Sequence, residues 1–534
     1  MKSAFLLAAT ALGLSIVVAP MPAAAQHAQH GAHRPAPPKK PAAKKPAAKK
    51  PAAKRPAAKK PAAKKPAAKK PVVLNNKPVA KKPVPPAAPA EPVHQHSEPP
   101  VPLPVAPTPT PTPAPVVDHS AHIGHAARAA EPAAVASHAG HTSLGGGLGP
   151  YPMNREASGT AWQPDTSEHT SLMRSTGDWT LMGHGVLYLV YDHQGGPRGD
   201  DKVFAPGMLM GMARRPLGNG TLQLKAMISP DPLMGKGGYP LLLASGETAN
   251  GVDHLIDRQH PHDFFMELSA SVSQNIGPRS SVFLYAGLPG EPAFGPPAFM
   301  HREAILDSPE APISHHWLDS THIAFGVVTG GIVLDRVRLE VSRFNGREPD
   351  QHRWNIETAP LDSTAVRLSW NPTETLSLQG SWGKFEEPEQ LEPGVDQTRW
   401  SASALYAREV APGWKLAGTL AWGRKSVEHH GDWLNDDAYV AEASLKHRGW
   451  TAFARGEITE NRELVESEGD EEHGPAYRVG KVSAGAVHDF RLAKHLTLGV
   501  GGLVSLNFVP DELAPLYGSH HPMGAMGFVR VKLD

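Results

Sequence analysis

Apolar and polar side chains alternate with a period of two along most of the chain between residue 175 and the C-terminus. Over 414–422, tryptophan, leucine and glycine occupy the even positions, whereas lysine, alanine and threonine occupy the odd ones. Similar alternation runs through 337–342, 376–383 and 439–446. Because successive side chains of a strand point to opposite faces of a sheet, this pattern predicts β-strands with one apolar face.

Turn-forming residues separate these strands by short and long connections that alternate along the chain. Tight turns are predicted at 218–220, 277–279, 334–335, 371–373, 411–413, 447–449 and 492–493. Longer connections are predicted over 193–202, 230–262, 288–320, 346–361, 385–397, 423–436, 459–476 and 509–521. Outer-membrane barrels have tight turns at one rim and long loops at the other. We therefore predict an all-β, transmembrane, antiparallel up-and-down β-barrel over 175–534, with about 16 strands (roughly 12–16), the first near 178–192 and the last at 522–533.

The chemistry of the strand faces favours a barrel in lipid. Trp414 and Trp422 share one face and lie roughly 26 Å apart, which suits two aromatic girdles around an apolar band about 25 Å tall. The opposite faces carry charged residues that we expect to line the lumen and set its selectivity, namely Arg338, Glu340, Arg367, Glu442, Arg530 and Lys532. A soluble exported β-protein that binds metal is the alternative, and it explains the alternation but not the spacing of the turns.

The first 150 residues have a different composition. Lys2, an apolar run over 4–19 and the alanines at 23–25 predict a secretory signal peptide over residues 1–25. Residues 26–150 are predicted to form a disordered arm, because 26 prolines lie between Pro35 and Pro132. Part of this arm is a Lys-Lys-Pro-Ala-Ala repeat, and the whole chain has a formal net charge of only +1, so the rest of the protein is acidic. The expected location is the outer membrane of a Gram-negative bacterium, with the arm in the periplasm.

The arm and the barrel imply several partners. The lysines of the arm would contact peptidoglycan or another anionic surface by screened Coulomb attraction. The barrel would contact outer-membrane lipid and the barrel-assembly machinery, and assembly into a homo-oligomer is left open. Nucleic acid is not expected, because the chain is exported and its basic repeat has no interleaved aromatic residues. Ten histidines of the arm could gather around Cu(II), Ni(II) or Zn(II), although a solvated spacer explains them equally well; they are His27, His30, His33, His94, His96, His119, His122, His125, His138 and His141.

The long loops contain a second group of candidate metal ligands. The stretch 253–263 holds three histidines and three aspartates in eleven residues, and the next long loop adds three histidines. Imidazole and carboxylate together suit copper or zinc, whereas calcium prefers oxygen ligands. The candidate ligands are Asp253, His254, Asp257, His260, His262, His301, His315 and His316. Hydrogen bonding within packed or solvated loops is the competing interpretation.

Two further features limit the range of functions. The chain has no cysteine, which excludes disulfides, thiolate metal sites and thiol catalysis. Met208, Met210 and Met212 lie on one strand face, where packing is the common explanation and soft Cu(I) ligation the alternative. We expect no enzyme, because no nucleophile elbow, phosphate-binding loop or zinc-protease motif occurs. An outer-membrane lipase or protease built from residues at strand ends, such as His184, Asp263 and His322, stays an alternative.

Several motifs resemble one protein family. The sequence reads Gly-Tyr-Pro-Leu-Leu-Leu over 238–243, Gly-Glu-Thr over 246–248 and Asp-Arg-Gln-His-Pro-His-Asp-Phe-Phe-Met-Glu-Leu over 257–268. Two more motifs span 288–302 and 344–350. Together they resemble a little-characterised group of Gram-negative outer-membrane proteins associated with copper and other heavy-metal resistance gene clusters. The resemblance covers roughly residues 175–534 and implies a setting of metal stress, with a channel or a metal-handling barrel as the expected function, but it assigns no role to any residue.

Overall fold

The computed structural model describes residues 145–168, 170–429, 431–465 and 474–533. The predicted signal peptide, nearly all of the predicted arm and the ten histidines of the arm lie outside these residues. The strands are β1 Leu172–Thr176, β2 Trp179–Gln194, β3 Asp201–Phe204, β4 Gly207–Leu217, β5 Gly220–Ile228, β6 Tyr239–Thr248, β7 His254–Gln259, β8 Phe265–Gly277, β9 Ser280–Gly287, β10 Val327–Leu334, β11 Val337–Phe344, β12 Ser363–Thr373, β13 Leu376–Phe385, β14 Gln397–Ala411, β15 Trp414–His429, β16 Asp432–His447, β17 Trp450–Asn461, β18 Tyr477–Ala493, β19 Leu496–Phe508 and β20 Met523–Leu533. Two short α-helices are α1 His315–Leu318 and α2 Ala514–Tyr517, and 3-10 turns occur at Met153–Arg155, Asp231–Met234, Phe299–His301 and Ser320–His322. Within the described part of the chain, no helix has the length and apolar character needed to cross a membrane.

Sixteen strands close into an antiparallel barrel. The wall consists of β2, β4, β5 and the thirteen strands from β8 to β20, each paired with its neighbour along the chain. β20 returns to β2, with Leu533 opposite Gly185 and Gly524 opposite Gln194, so the ring is complete. The predicted fold class, the strand number and the positions of the first and last strands are therefore confirmed.

The predicted connections match the structure with one exception. Tight turns join the strand pairs at the predicted places, for example between β4 and β5 and between β10 and β11. The predicted loop 423–436 is wrong, because β15 and β16 stay paired as far as His429 opposite Asp432. Polar side chains hold this extension together across the ladder, since Arg424 forms an ion pair with Asp437 at 2.7 Å. The alternation of apolar and polar residues ends before residues 423–436, but the backbones of β15 and β16 stay paired through this stretch.

The outer face of the wall is apolar and flanked by aromatic residues. Leu420 lies in the middle of β15 with 64% of its surface exposed. Near the tight turns, one row of outward aromatic residues consists of Trp370, Trp414, Trp450 and Phe490. A second row, towards the long loops, consists of Trp382, Trp400, Trp422 and Tyr439, which pair across neighbouring strands. Trp414 and Trp422 thus face outward at the two edges of an apolar band.

The interior of the barrel is filled by three parts of the chain, which we call the inner segments: residues 145–168, 229–264 and 288–326. The hairpin of β6 and β7 belongs to the second of these, and Leu241, Leu242 and Leu243 in it are fully buried. They belong to a hydrophobic cluster that also contains the inward wall residues Val190 and Phe528. Residue 150, the predicted end of the arm, falls inside the first inner segment, where Leu148 and Trp162 pack against Phe283 of the wall.

Inward-facing charges of the wall pair with the inner segments. Arg302 of the third inner segment forms ion pairs with Glu442 of β16 at 2.8 Å and with Asp319 at 2.5 Å. Likewise, Arg530 of β20 contacts Asp307 at 2.5 Å. A further pair joins Lys481 of β18 to Glu310 at 2.5 Å. Because these groups are buried, each depends on its partner for charge compensation.

We predict that Glu442→Gln destabilises the folded barrel by about 3–5 kcal/mol, because Arg302 and Arg455 both lose a buried carboxylate. The measurement is thermal unfolding of the purified full chain in detergent. Glu374→Gln is the matched control, since its side chain is 70% exposed and lies 4.0 Å from Arg336. The control should change stability by less than about 1 kcal/mol. Equal shifts for the two variants would contradict the role of the buried pair.

Candidate metal centre

Five buried or nearly buried histidines meet inside the barrel. His260 and His262 follow β7, His315 and His316 begin α1, and His322 ends the last 3-10 turn of the third inner segment. The ring centroid of His322 lies 5.2 Å from those of His262 and His315. The ring of His260 lies 5.4 Å from His316 and 5.8 Å from His315. Two loops that are far apart in sequence thus supply one continuous group of imidazoles.

Four of the five rings are held through the same nitrogen atom. Nδ1 of His262 lies 2.8 Å from Asp231, and Nδ1 of His315 lies 2.9 Å from Asp319. The carbonyl oxygen of Asp319 lies 2.7 Å from Nδ1 of His322, and Glu348 lies 3.0 Å from Nδ1 of His316. A carboxylate or carbonyl at Nδ1 fixes the proton there and leaves Nε2 with its lone pair, which is the usual arrangement of metal-binding histidines.

The second ring nitrogen is left without a partner in several of these residues. Nε2 of His262, His316 and His322 is buried and makes no hydrogen bond within the part of the chain that the structure describes. A buried polar atom without a partner is costly unless a ligand completes it. Gly246 faces Nε2 of His316 with φ +105°, and a Cβ at this position would lie 2.5 Å from that atom. The glycine therefore leaves space beside this nitrogen, and all three nitrogens are candidate ligand atoms.

Burial favours the neutral form of three of these histidines, His260, His315 and His322. Burial lowers the pKa of His260 and of His322 well below the usual range, and adjacent imidazoles lower it further. Burial also lowers the pKa of His315, although Asp319 partly opposes this effect. Since a neutral imidazole is the form that coordinates a metal ion, these rings do not have to lose a proton first near neutral pH.

A group of carboxylates adjoins the histidines at His316. One potential ligand atom from each of His316, Glu348 and Glu389 lies within 4.8 Å of the others. Burial, reinforced by repulsion from Glu348, raises the pKa of Glu389 to about 8. Burial would lower the pKa of His316, but Glu348 outweighs it and raises that pKa. Arg399 compensates part of the negative charge, with its guanidinium 3.2 Å from Glu389.

The donor set fits a transition-metal ion. Imidazole nitrogens with nearby carboxylates suit Cu(II) or Zn(II), whereas Mg²⁺ and Ca²⁺ prefer sites built from oxygen. Among the described residues, His316, Glu348 and Glu389 are the group whose ligand atoms lie closest together, and they would hold the ion. His262, His315 and His322 are further candidate ligands, because each has its Nδ1 fixed by an acceptor. A carboxylate oxygen of Glu247 lies 3.2 Å from Nε2 of His260 and is a further acidic group beside the histidines.

The structure brings four of the eight predicted ligands together, namely His260, His262, His315 and His316. Of the other four, Asp253 is exposed and accepts a hydrogen bond from Asn250, and His254 is partly buried at the start of β7. Asp257 instead binds Arg198, at 2.8 Å. The fourth, His301, borders a separate cavity.

Sequence reasoning missed three members of the group as metal ligands: His322, Glu348 and Glu389. His322 lies seven residues after His315 and received no weight as a ligand, because a single histidine at a strand end carries little signal. Glu348 lies in the motif over 344–350, so that motif was the available clue. For Glu389 the sequence contained no clue, because its position beside His316 depends on a loop that folds inward.

The predicted lumen residues all face the interior, where the inner segments cover most of them. Arg338 lies 3.1 Å from Glu340, and its guanidinium is 4.5 Å from the ring centre of Trp162. Arg367 donates to the carbonyl of Gly295 at 3.1 Å. Glu442 and Arg530 contact Arg302 and Asp307, as described above, and Lys532 contacts Asp489 at 2.8 Å. Their role in ion selectivity stays a prediction.

Several solved barrels are similar to this chain at low sequence identity. No protein-family model matches the chain, and no curated protein matches its sequence. OmpF of Salmonella typhi, solved with daunomycin, is 10% identical and has a TM-score of 0.41, with 68% of this chain and 100% of OmpF covered. An anion-selective porin from Comamonas acidovorans is 12% identical and has a TM-score of 0.38, with 66% of this chain and 99% of the porin covered. The outer-membrane channel DcaP of Acinetobacter baumannii is 9% identical and has a TM-score of 0.38, with 67% of this chain and 99% of DcaP covered.

Proposed function

We propose that this protein is an outer-membrane β-barrel whose interior is filled by its own loops and which binds copper or zinc at the central histidine group. The observation that carries the metal assignment is the common anchoring of His262, His315 and His322 through Nδ1. Packing alone does not require three buried imidazoles to present the same nitrogen to an acceptor. The resemblance to proteins of heavy-metal resistance clusters supports the same conclusion.

The outer face supports a location in a membrane. A closed barrel leaves no unpaired strand edge, and an apolar band between aromatic rows suits the hydrocarbon core of a bilayer. The rim with tight turns would face the periplasm, and the inner segment 145–168 lies near it, since Arg155 donates to the carbonyl of Asp335 in one of those turns. The arm that precedes this segment would then extend into the periplasm and contact peptidoglycan.

A passive channel is the weaker candidate. The predicted selectivity residues Arg338, Glu340 and Arg367 are at most 1% exposed, because the inner segments cover them. A hydrolase is also less well supported, because the strand-end residues named for it belong to different surroundings. His184 lines a separate cavity, whereas His322 belongs to the central histidine group. Asp263 pairs with Arg353 at 3.1 Å. A metal-handling barrel accounts for both the filled interior and the histidine group.

We predict that the double variant His262→Ala/His322→Ala weakens the tightest Cu(II) or Zn(II) binding of the full chain by at least ~10-fold, because two anchored imidazoles are removed. Isothermal titration of the detergent-purified protein measures the change. The double variant His520→Ala/His521→Ala is the control, since both histidines lie in the last long loop and neither belongs to the central group. Both variants keep the histidines of the arm, so background binding is the same. Unchanged affinity in the first variant would rule out the central site.

The membrane assignment predicts different effects for two exposed leucines. Leu420→Arg places a charge in the middle of the apolar band. It should lower the stability of the folded barrel in a membrane by about 2–4 kcal/mol and therefore reduce the yield of folded protein. Leu516→Arg should have little effect, because Leu516 is 44% exposed on α2, outside the barrel strands. The folded fraction is measured as the band whose gel mobility changes on boiling. Equal yields for the two variants, or identical mobility of the boiled and unboiled wild type, would contradict a transmembrane barrel.

Recordings in planar bilayers separate a filled barrel from an open channel. The wild-type protein should show no steady conductance steps of the size expected for an open sixteen-stranded pore, because its inner segments occupy the lumen. Large, stable steps from every inserted molecule would favour the passive channel instead.

A further inference from the structure

A cavity of about 140 Å³ lies beside the inner face of β2 and β4, and its residues do not include the central histidine group. The two strands pair so that Met182 lies opposite Met212 and His184 opposite Met210. Met208 occupies the next inward position of β4 and is only 8% exposed. The sequence left open whether these methionines pack against other residues or bind a metal, and the structure places them on the wall of an interior cavity.

The inner segments line the cavity from the other side. Met153 of the first inner segment and His301 of the third both line it. The wall and two inner segments thus contribute thioether and imidazole groups to the same space. Met208 and Met210 pack in a hydrophobic cluster with Met227 and Met266, so part of the methionine group has a packing role. Met182 and Met212 also line the open volume of the cavity.

Four acidic residues and two lysines line the cavity, namely Glu156, Glu168, Glu303, Asp307, Lys225 and Lys532. Three of the four carboxylates already have a cation as partner, because Glu156 pairs with Arg214, Glu168 with Lys415 and Asp307 with Arg530. A monovalent soft ion is satisfied by neutral sulfur and nitrogen donors, so such a site needs no free carboxylate. Thioether sulfur is a soft ligand that selects Cu(I) among the common biological metals.

We propose that this cavity is a second metal site, which binds Cu(I) through the sulfur atoms of Met182 and Met212 and neighbouring thioethers, with an imidazole of His184 or His301 as a nitrogen donor. The site takes a soft monovalent ion, in contrast to the nitrogen and carboxylate ligands of the central histidine group. It shares no residue with that group, so the proposal stands or fails separately from the one above.

The first test compares Cu(I) affinities of full-length variants in detergent, under anaerobic conditions, by competition with a chromogenic Cu(I) chelator. Met182→Leu/Met212→Leu keeps similar side-chain volumes and should weaken Cu(I) binding by at least ~10-fold. Met173→Leu/Met523→Leu is the matched control, because these methionines are 50% and 58% exposed, and its affinity should stay within about two-fold of wild type. Unchanged affinity in the first variant overturns the proposal.

The second test is X-ray absorption spectroscopy of the Cu(I)-loaded wild-type protein. Residues 26–150 contain no methionine, and the chain has no cysteine, so sulfur around copper in the mature protein has to come from the methionines of the barrel and its inner segments. Sulfur scatterers that disappear in Met182→Leu/Met212→Leu support the site, and a spectrum with nitrogen and oxygen alone overturns it. In His262→Ala/His322→Ala the sulfur signal should persist. Loss of the signal there, with retention in the methionine variant, would place Cu(I) at the histidine group and reject the cavity.

Discussion

The buried ion pairs between the barrel wall and the inner segments are the interaction on which the rest of the structure depends. Strand alternation turns arginine, lysine and glutamate side chains towards an interior that the inner segments fill. Leaving one such charge without a partner costs several kcal/mol, so the wall tolerates them only because the inner segments carry matching groups. Arg302 with Glu442, and Arg530 with Asp307, show that the compensation is direct. The wall and its contents are therefore one energetic unit.

The same ion pairs position the central histidine group. Glu442 of the wall holds Arg302, and the other side of that guanidinium holds Asp319. Asp319 then fixes His315 through its carboxylate and His322 through its backbone carbonyl. A second connection runs from Arg399 of β14 to Glu348 and from there to His316. The imidazoles are thus oriented by the rigid wall, although they lie on loops.

The interior offers two kinds of ligand in separate places. The histidine group lies where the ends of β7 and α1 meet and combines neutral imidazoles with carboxylates. The cavity beside β2 and β4 combines thioethers with imidazole. Because ligand softness differs between these places, the two oxidation states of copper would be bound by different residues. An apolar exterior and a metal-binding interior are compatible, since the closed wall separates lipid from the polar groups inside it.

The sequence by itself determined the wall of the barrel. The alternation along 414–422, the tight turns and the inward charges such as Arg338 and Glu340 are local patterns with a period of two, so they predict strands, their number and their faces. The tertiary structure decided what fills the barrel. Arg367 reaches Thr160 and Gly295 across many residues of sequence, and no local pattern encodes such contacts.

The same distinction applies to the site and to the loops. Histidines that are close in sequence, such as His260 and His262, were predicted as ligands, whereas His322 and Glu389 join them only because separate loops fold inward. Asp253 and Asp257 lie in the same dense stretch of sequence, yet the hairpin of β6 and β7 directs them elsewhere. Strand faces follow from local alternation, but the partners of buried polar groups follow from which loops enter the barrel, and only the closed structure fixes that choice.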